Sequence, residues 1–126
     1  MVKFRSFRFT LPLVTPSGNQ TRQWDRSRNW KRIKSEKEGF LWELKINELD
    51  RIEFKCTFQK KRRVEFRSFR KRLLDDDNLI QGFKMLRDAL EEMGIIWKDS
   101  PEYLDAEYYQ EIDRDNPRTE IVVRDV

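Results

Sequence analysis

The chain has 126 residues, 40% of them charged and 37% hydrophobic, with a formal net charge of +4. That length suits one domain over residues 1–126, and nine Phe, four Trp and three Tyr give it the bulky apolar surface that a disordered chain lacks. The absence of histidine excludes His-activated nucleophiles and the usual zinc sites, and no stretch approaches the roughly 20 apolar residues of a membrane span.

Cys56, the single cysteine, allows no internal disulfide and fits a reducing compartment. Arg5 and Arg8 interrupt the apolar runs that a signal peptide needs, so the expected setting is the cytoplasm. Charge is unevenly spread. Nine Lys or Arg lie between Lys55 and Arg72 against Glu65 alone, whereas nine Asp or Glu lie from Asp99 onward against Arg114, Arg118 and Arg124. Such a basic segment either meets a polyanion, most often nucleic acid, or is a solvated surface of mixed charge.

In chain order, residues 2–13 read as a strand. Phe7, Phe9 and Leu11 alternate with Arg8 and Thr10, Pro12 closes the run, and Thr15 to Asn19 carry loop chemistry. The next dozen residues place Arg22, Arg26, Arg28, Lys31 and Arg32 around Trp24 and Trp30. Arginine beside indole serves phosphate contact with base stacking, or else the indoles tuck against the core among solvated arginines. Residues 29–47 predict a helix with Trp30, Ile33, Phe40, Leu41 and Leu44 on one face; Gly39 weakens it by about 1 kcal/mol and calls for a local reason. The alternation of Ile52, Phe54, Cys56 and Phe58 predicts a strand over 51–59, paired as a hairpin with 63–70 across the basic turn from Lys60 to Arg63. Cys56 reads as a small apolar strand residue.

A long amphipathic helix then opens at Asp75-Asp76-Asp77-Asn78, with Asp77 or Asn78 as its cap. Leu79, Phe83, Leu86, Leu90 and Met93 form its core stripe, Gln81, Lys84 and Asp88 share another face, and Gly94 stops it. A last hairpin is expected between Leu104–Ile112 and Thr119–Val123. The predicted order is β-α-β-β-α-β-β, an α+β fold in which a small mixed sheet packs with two main helices.

The aspartate run is where chemistry concentrates. Adjacent carboxylates repel one another, an arrangement that a hard cation such as Mg²⁺ relieves. Asp75 and Asp77 point the same way on an extended segment, and Asp99 follows the helix. A metal held there would activate water and bind a scissile phosphate, with Lys84 steadying charge on the phosphate. The plainer reading is an acidic helix start, with Lys84 and Asp88 an i,i+4 surface pair.

Asp75-Asp76-Asp77-Asn78, then Lys84, Asp88-Ala89-Leu90, Gly94 and Trp97-Lys98-Asp99-Ser100, resemble the RusA family of Holliday-junction resolvases. Leu11-Pro12, Pro16-Ser17 and Asn19 are similar to that family's opening, a strand ending in a Pro-Ser-x-Asn loop. The resemblance implies an endodeoxyribonuclease that hydrolyses phosphodiester bonds with Mg²⁺, or alternatively Mn²⁺. It implies a homodimer that nicks paired strands of a four-way DNA junction in recombination and repair, often encoded by phage or prophage. Carried over by position, Asp75, Asp77 and Asp99 are the metal ligands and Lys84 the essential lysine. The DNA-binding candidates read from the basic segments are Lys60, Lys61, Arg62, Arg63, Arg70, Arg72, Lys31 and Arg32.

Three departures from the family pattern stand out. Lys84 lies seven residues after Asp77 rather than four, the four-residue position holding Gln81. The extra turn moves the lysine by about 5 Å on the same face. Lys98 replaces the first aspartate of an Asp-Asp-Ser pair, and Leu74 stands where an arginine usually precedes the first aspartate. A junction-binding protein that cleaves weakly or not at all is the alternative reading. Asp76 occupies the variable position and is expected to turn away from the metal.

Overall fold

The computed structural model describes residues 6–126. The elements are β1 (Ser6–Leu11), α1 (Gly18–Arg26), α2 (Trp30–Ile46), a 3₁₀ turn (Ile52–Phe54), β2 (Arg62–Arg70), α3 (Asp76–Gly82), α4 (Lys84–Met93), β3 (Leu104–Ile112) and β4 (Arg118–Asp125). The fold is α+β as expected, built on a four-stranded mixed sheet in the order β1-β4-β2-β3. Of the strand expected over 2–13, residues 2–5 lie outside the described ones, and Pro12 and Leu13 lie past its end.

The final hairpin is corrected. β3 pairs parallel with β2, and β4 runs antiparallel between β1 and β2. Strands on either side of a third are about 10 Å from each other, which the five residues from Asp113 to Pro117 can span. Burial explains the placement. β4 turns Thr119, Ile121 and Val123 fully inward, as a central strand must, whereas β3 carries Asp105, Glu107 and Glu111 at an edge, where charge blocks unwanted pairing. β2, α3, α4 and β3 thereby form a crossover unit with parallel strands.

The first expected hairpin is also absent. Residues 51–59 form the 3₁₀ turn and a loop, with Ile52 and Phe58 exposed rather than alternating into a core. Their carbonyls find another donor. Arg62, 1% exposed, sends Nη1 to the carbonyls of Phe54 and Ile95, each at 2.7 Å, and Nη2 to that of Lys55 at 3.4 Å. One guanidinium takes the place of a strand ladder.

Between Asn19 and Arg26 the polar stretch is helical, because Ser17 and Gln20 form a reciprocal capping box at its start. In α2 Phe40 and Leu44 are buried, with Ile33 and Leu41 packed alongside, but Trp30 is exposed. Trp24 packs against the core beneath Arg32, whose guanidinium lies 5.1 Å from the ring centre. Gly39 has nothing within 4 Å of the place a Cβ would occupy, so no packing reason accounts for it.

The predicted long helix breaks at Phe83, whose N–H donates to the Ile80 carbonyl at 3.1 Å in a tight last turn. Its core stripe is intact across the break. Phe83 is fully buried, with its ring 4.8 Å from that of Phe66 and 5.4 Å from that of Tyr108. Gly94 ends α4 in the left-handed region at φ 82°, the conformation for which glycine has no steric penalty. Among the described residues no helix is long and apolar enough to cross a membrane.

Candidate active-site groove

Asp75, rather than Asp77 or Asn78, is the N-cap of α3, and its two carboxylate oxygens accept from the backbone N–H and the side-chain amide of Asn78, each at 2.9 Å. Asp76 and Asp77 occupy the first turn, where the positive end of the helix dipole favours acidic groups. All three aspartates border an open cleft of about 630 Å³, shared with Asn19, Arg22 and Gln81. Asp76 lines the same cleft as its neighbours.

Close helix contact builds the wall of this cleft. A Cβ on Gly82 would lie 1.9 Å from the Pro16 carbonyl oxygen, and one on Gly18 would lie 2.9 Å from the Gln81 Cβ. Glycine at both positions lets the start of α1 rest directly on α3. Arg22 closes the seam. Its guanidinium donates to Gln81, to Asn19 Oδ1 at 2.6 Å and to Asn78 Oδ1 at 2.9 Å, so Asn78 connects Arg22 to Asp75. The sequence places Arg22 only among the arginines beside Trp24 and Trp30, not with the aspartates. The Ser17-x-x-Gln20 capping signal would have placed a helix there and set Asn19 and Arg22 on one face.

Arg22 and Gln81 also border a second cavity of about 420 Å³, which reaches Lys84, Arg87 and Asp88. Here Lys84 Nζ is 2.6 Å from Asp88 Oδ1 and 3.4 Å from Asp99 Oδ2. Residues fifteen apart in sequence thus meet, and the shared face of Gln81, Lys84 and Asp88 exists as predicted. The hydrogen bond to Asp88 and the negative charge of both aspartates hold the Lys84 pKa above its ordinary value. The lysine stays protonated through the neutral range.

Asp99 has a further partner, Arg87, which sequence reasoning missed. Arg87 Nε lies 3.2 and 3.3 Å from the two Asp99 oxygens, while its Nη1 donates to the Tyr108 hydroxyl at 2.8 Å and the Ile80 carbonyl at 3.0 Å. Burial raises the Tyr108 pKa, the positive charge of Arg87 opposing it. The backbone N–H of Asp99 donates to Glu91 Oε1 at 2.7 Å. Asp99 is therefore anchored to α4 and neutralised by two cations.

The basic candidates divide by burial. Arg62 and Arg70 are corrected: both are core groups and not a DNA-facing surface. Arg62 is ion-paired to Asp125 at 3.0 Å, and Arg70, 8% exposed, donates to the Thr15 carbonyl at 2.8 Å and to the Ser68 and Thr15 hydroxyls. Burial lowers the Arg70 pKa. Arg63 pairs with Asp105 at 2.9 Å, Arg32 with Glu36 at 3.0 Å, and Lys60 lies 3.9 Å from Asp125. Lys31, Lys61 and Arg72 are exposed and have no ion-pair partner among the described residues. Among the described residues the sheet face opposite the core mixes both charges. Arg63, Arg67, Arg118 and Arg124 there are each matched by Asp105, Glu65, Glu120 or Asp113.

Mg²⁺ takes oxygen ligands at about 2.0–2.1 Å and is commonly held by one or two carboxylates, with water and substrate phosphate completing the shell. Asp75 and Asp77 suit that requirement, being exposed carboxylates on one cleft with lone pairs to spare. Asp99 is engaged by Lys84 and Arg87, and among the described residues no three Asp, Glu or Cys side chains converge as a metal-binding group. The comparisons with known proteins add no identity, since no family model and no curated protein matches the chain.

Proposed function

We propose that the chain is a structure-selective DNA endonuclease of the RusA type, a homodimer that hydrolyses phosphodiesters at four-way junctions with the aid of Mg²⁺. The observation that carries this reading is the contact of Lys84 with Asp99 on a groove that continues through Gln81 and Arg22 to Asp75 and Asp77. Of the family-like motif, Asp75, Asp77 and Asn78 border one cavity, Lys84 and Asp88 border the adjoining one, and Asp99 touches Lys84.

In this reading Asp75 and Asp77 hold the ion. When bound, Mg²⁺ supplies Lewis acidity and lowers the pKa of a coordinated water. Lys84, kept cationic by Asp88 and Asp99, presents its ammonium to a non-bridging or leaving phosphate oxygen and cannot serve as the base. Asp99 changes role from ligand to the group that positions Lys84, itself oriented by Arg87 and the backbone contact to Glu91. Arg22, held by three amide oxygens, flanks the phosphate path. Lys61, Lys31 and Arg72, with Lys71 and Lys98 also exposed and without an ion-pair partner among the described residues, supply long-range attraction.

A second reading is a junction-binding protein with little cleavage, and the engagement of Asp99 by Arg87 and Lys84 favours it. Incubating a synthetic four-way junction with the protein in Mg²⁺ and in EDTA, beside Asp77→Asn, separates the two. Paired, symmetrical nicks that need the metal and vanish in the variant support the nuclease. Tight binding without nicks leaves the binding protein. Equilibrium sedimentation tests the dimer.

A further inference from the structure

We infer that Phe58 and Trp97 form a stacking platform for an unpaired nucleobase of branched DNA, beside Lys98 and two residues before Asp99. The inference deepens the junction-binding reading and rests on it.

Phe58 is 75% exposed and Trp97 38% exposed, and their rings meet edge to face with centroids 5.1 Å apart. Large apolar rings left in water have a cost that folding alone does not explain here. Phe58 stands at the tip of a turn closed by the Lys60 N–H donating to the Thr57 carbonyl at 3.1 Å, with Gln59 in the left-handed region at φ 52°. The Cys56 N–H donates to the Gly94 carbonyl at 2.7 Å, tying this turn to the end of α4. The backbone therefore holds the ring outward instead of letting it collapse onto the core.

The surroundings select the occupant. Lys98 adjoins Trp97 and Lys61 follows the turn, both exposed and with no ion-pair partner among the described residues. Aromatic faces flanked by free cations match a base attached to its phosphates, since every base has a π-face and the backbone is anionic. A protein partner would not need the lysines, and duplex DNA offers no free base face. Trp97 precedes Asp99 by two residues, about 7 Å of backbone at most, so a base held there lies within a nucleotide or two of the Lys84–Asp99 contact. Branched DNA yields such a base most readily where strands exchange, because a pair opened at the crossover gives up less stacking than one inside a continuous duplex.

The test places 2-aminopurine at the crossover of a four-way junction and measures binding in EDTA, where cleavage does not intervene. The wild type is expected to quench the probe and to hold the junction about tenfold more tightly than Phe58→Ala, with equal affinity for linear duplex. Phe58→Tyr keeps the ring and restores both signals, whereas Phe58→Leu keeps only bulk and does not. Equal binding and quenching by wild type and Phe58→Ala, or full restoration by Phe58→Leu, overturns the platform. Nicking in Mg²⁺ is scored separately. Metal-dependent nicks with no effect of Phe58→Ala sink the platform alone. Phe58-dependent quenching without nicks sinks the nuclease and keeps the platform in a binding protein. A wild type that binds no junction overturns both.

Discussion

Replacing Arg62 tests the internal role of a residue that its neighbours Lys60, Lys61 and Arg63 make look like part of a DNA contact. Its side chain is 2% exposed and that of its partner Asp125 is 6% exposed, their atoms 3.0 Å apart. The guanidinium also serves the carbonyls of Phe54, Lys55 and Ile95 and lies 5.4 Å from the Phe7 ring centre. Arg62→Ala takes the 3.0 Å ion pair from the largely buried Asp125 carboxylate and strips three carbonyls of a donor. Breaking a buried pair from one side costs about 3–5 kcal/mol, a large share of the roughly 5–15 kcal/mol that a domain has. With a urea slope of about 2 kcal/mol/M, the unfolding midpoint should fall by about 2 M. Equilibrium urea unfolding measures this, with junction affinity as a function of salt as the companion assay. A variant with an unchanged midpoint and a flatter salt slope would refute the reasoning and return Arg62 to the DNA surface.

Gly82→Ala forces a methyl into the Pro16 carbonyl and should cost about 1–3 kcal/mol by overpacking, while weakening junction binding as Arg22 and Gln81 are displaced; calorimetry with a gel-shift titration checks both. Gly39→Ala is the opposite case, with open space at the added Cβ, and should stabilise by about 0.5–1 kcal/mol; a lower melting temperature would contradict the helix assignment there. Because the Lys84 pKa is raised on folding, the stability it contributes is present below 10.5 and is lost as pH rises through the higher folded value. Unfolding midpoints of Lys84→Met against pH should therefore fall less steeply than wild type above pH 10.5, and identical alkaline limbs would remove the Asp88 and Asp99 contacts from the account.

Much of the local structure was legible because it depends on neighbours in sequence. The core stripe from Leu79 to Met93, the stop at Gly94, the face shared by Gln81, Lys84 and Asp88, and the span Leu104–Ile112 all rest on periodicity and propensity over a few turns. Where the same signals failed, a distant partner outweighed them. The alternation from Ile52 to Phe58 suited a strand, but the Arg62 guanidinium satisfied the carbonyls and no strand was needed. The helix from the aspartates to Gly94 broke at Phe83, next to the point where Gly82 meets Pro16.

The site divides along the same line. Composition and order alone determined that histidine chemistry and internal disulfides are closed to this chain, that carboxylates and a lysine are the reactive groups available, and that Asp75 to Asp77 open a helix. Tertiary structure decided which of those groups meet. It seated Asp99 against Arg87 and Lys84, brought Arg22 across to Asn78, and took Arg62 and Arg70 out of solvent. The physical reason is that a charge in sequence has no fixed surroundings. Only folding sets how much water it keeps and which counter-charge it faces, and those two quantities decide whether an arginine meets phosphate or a buried carbonyl.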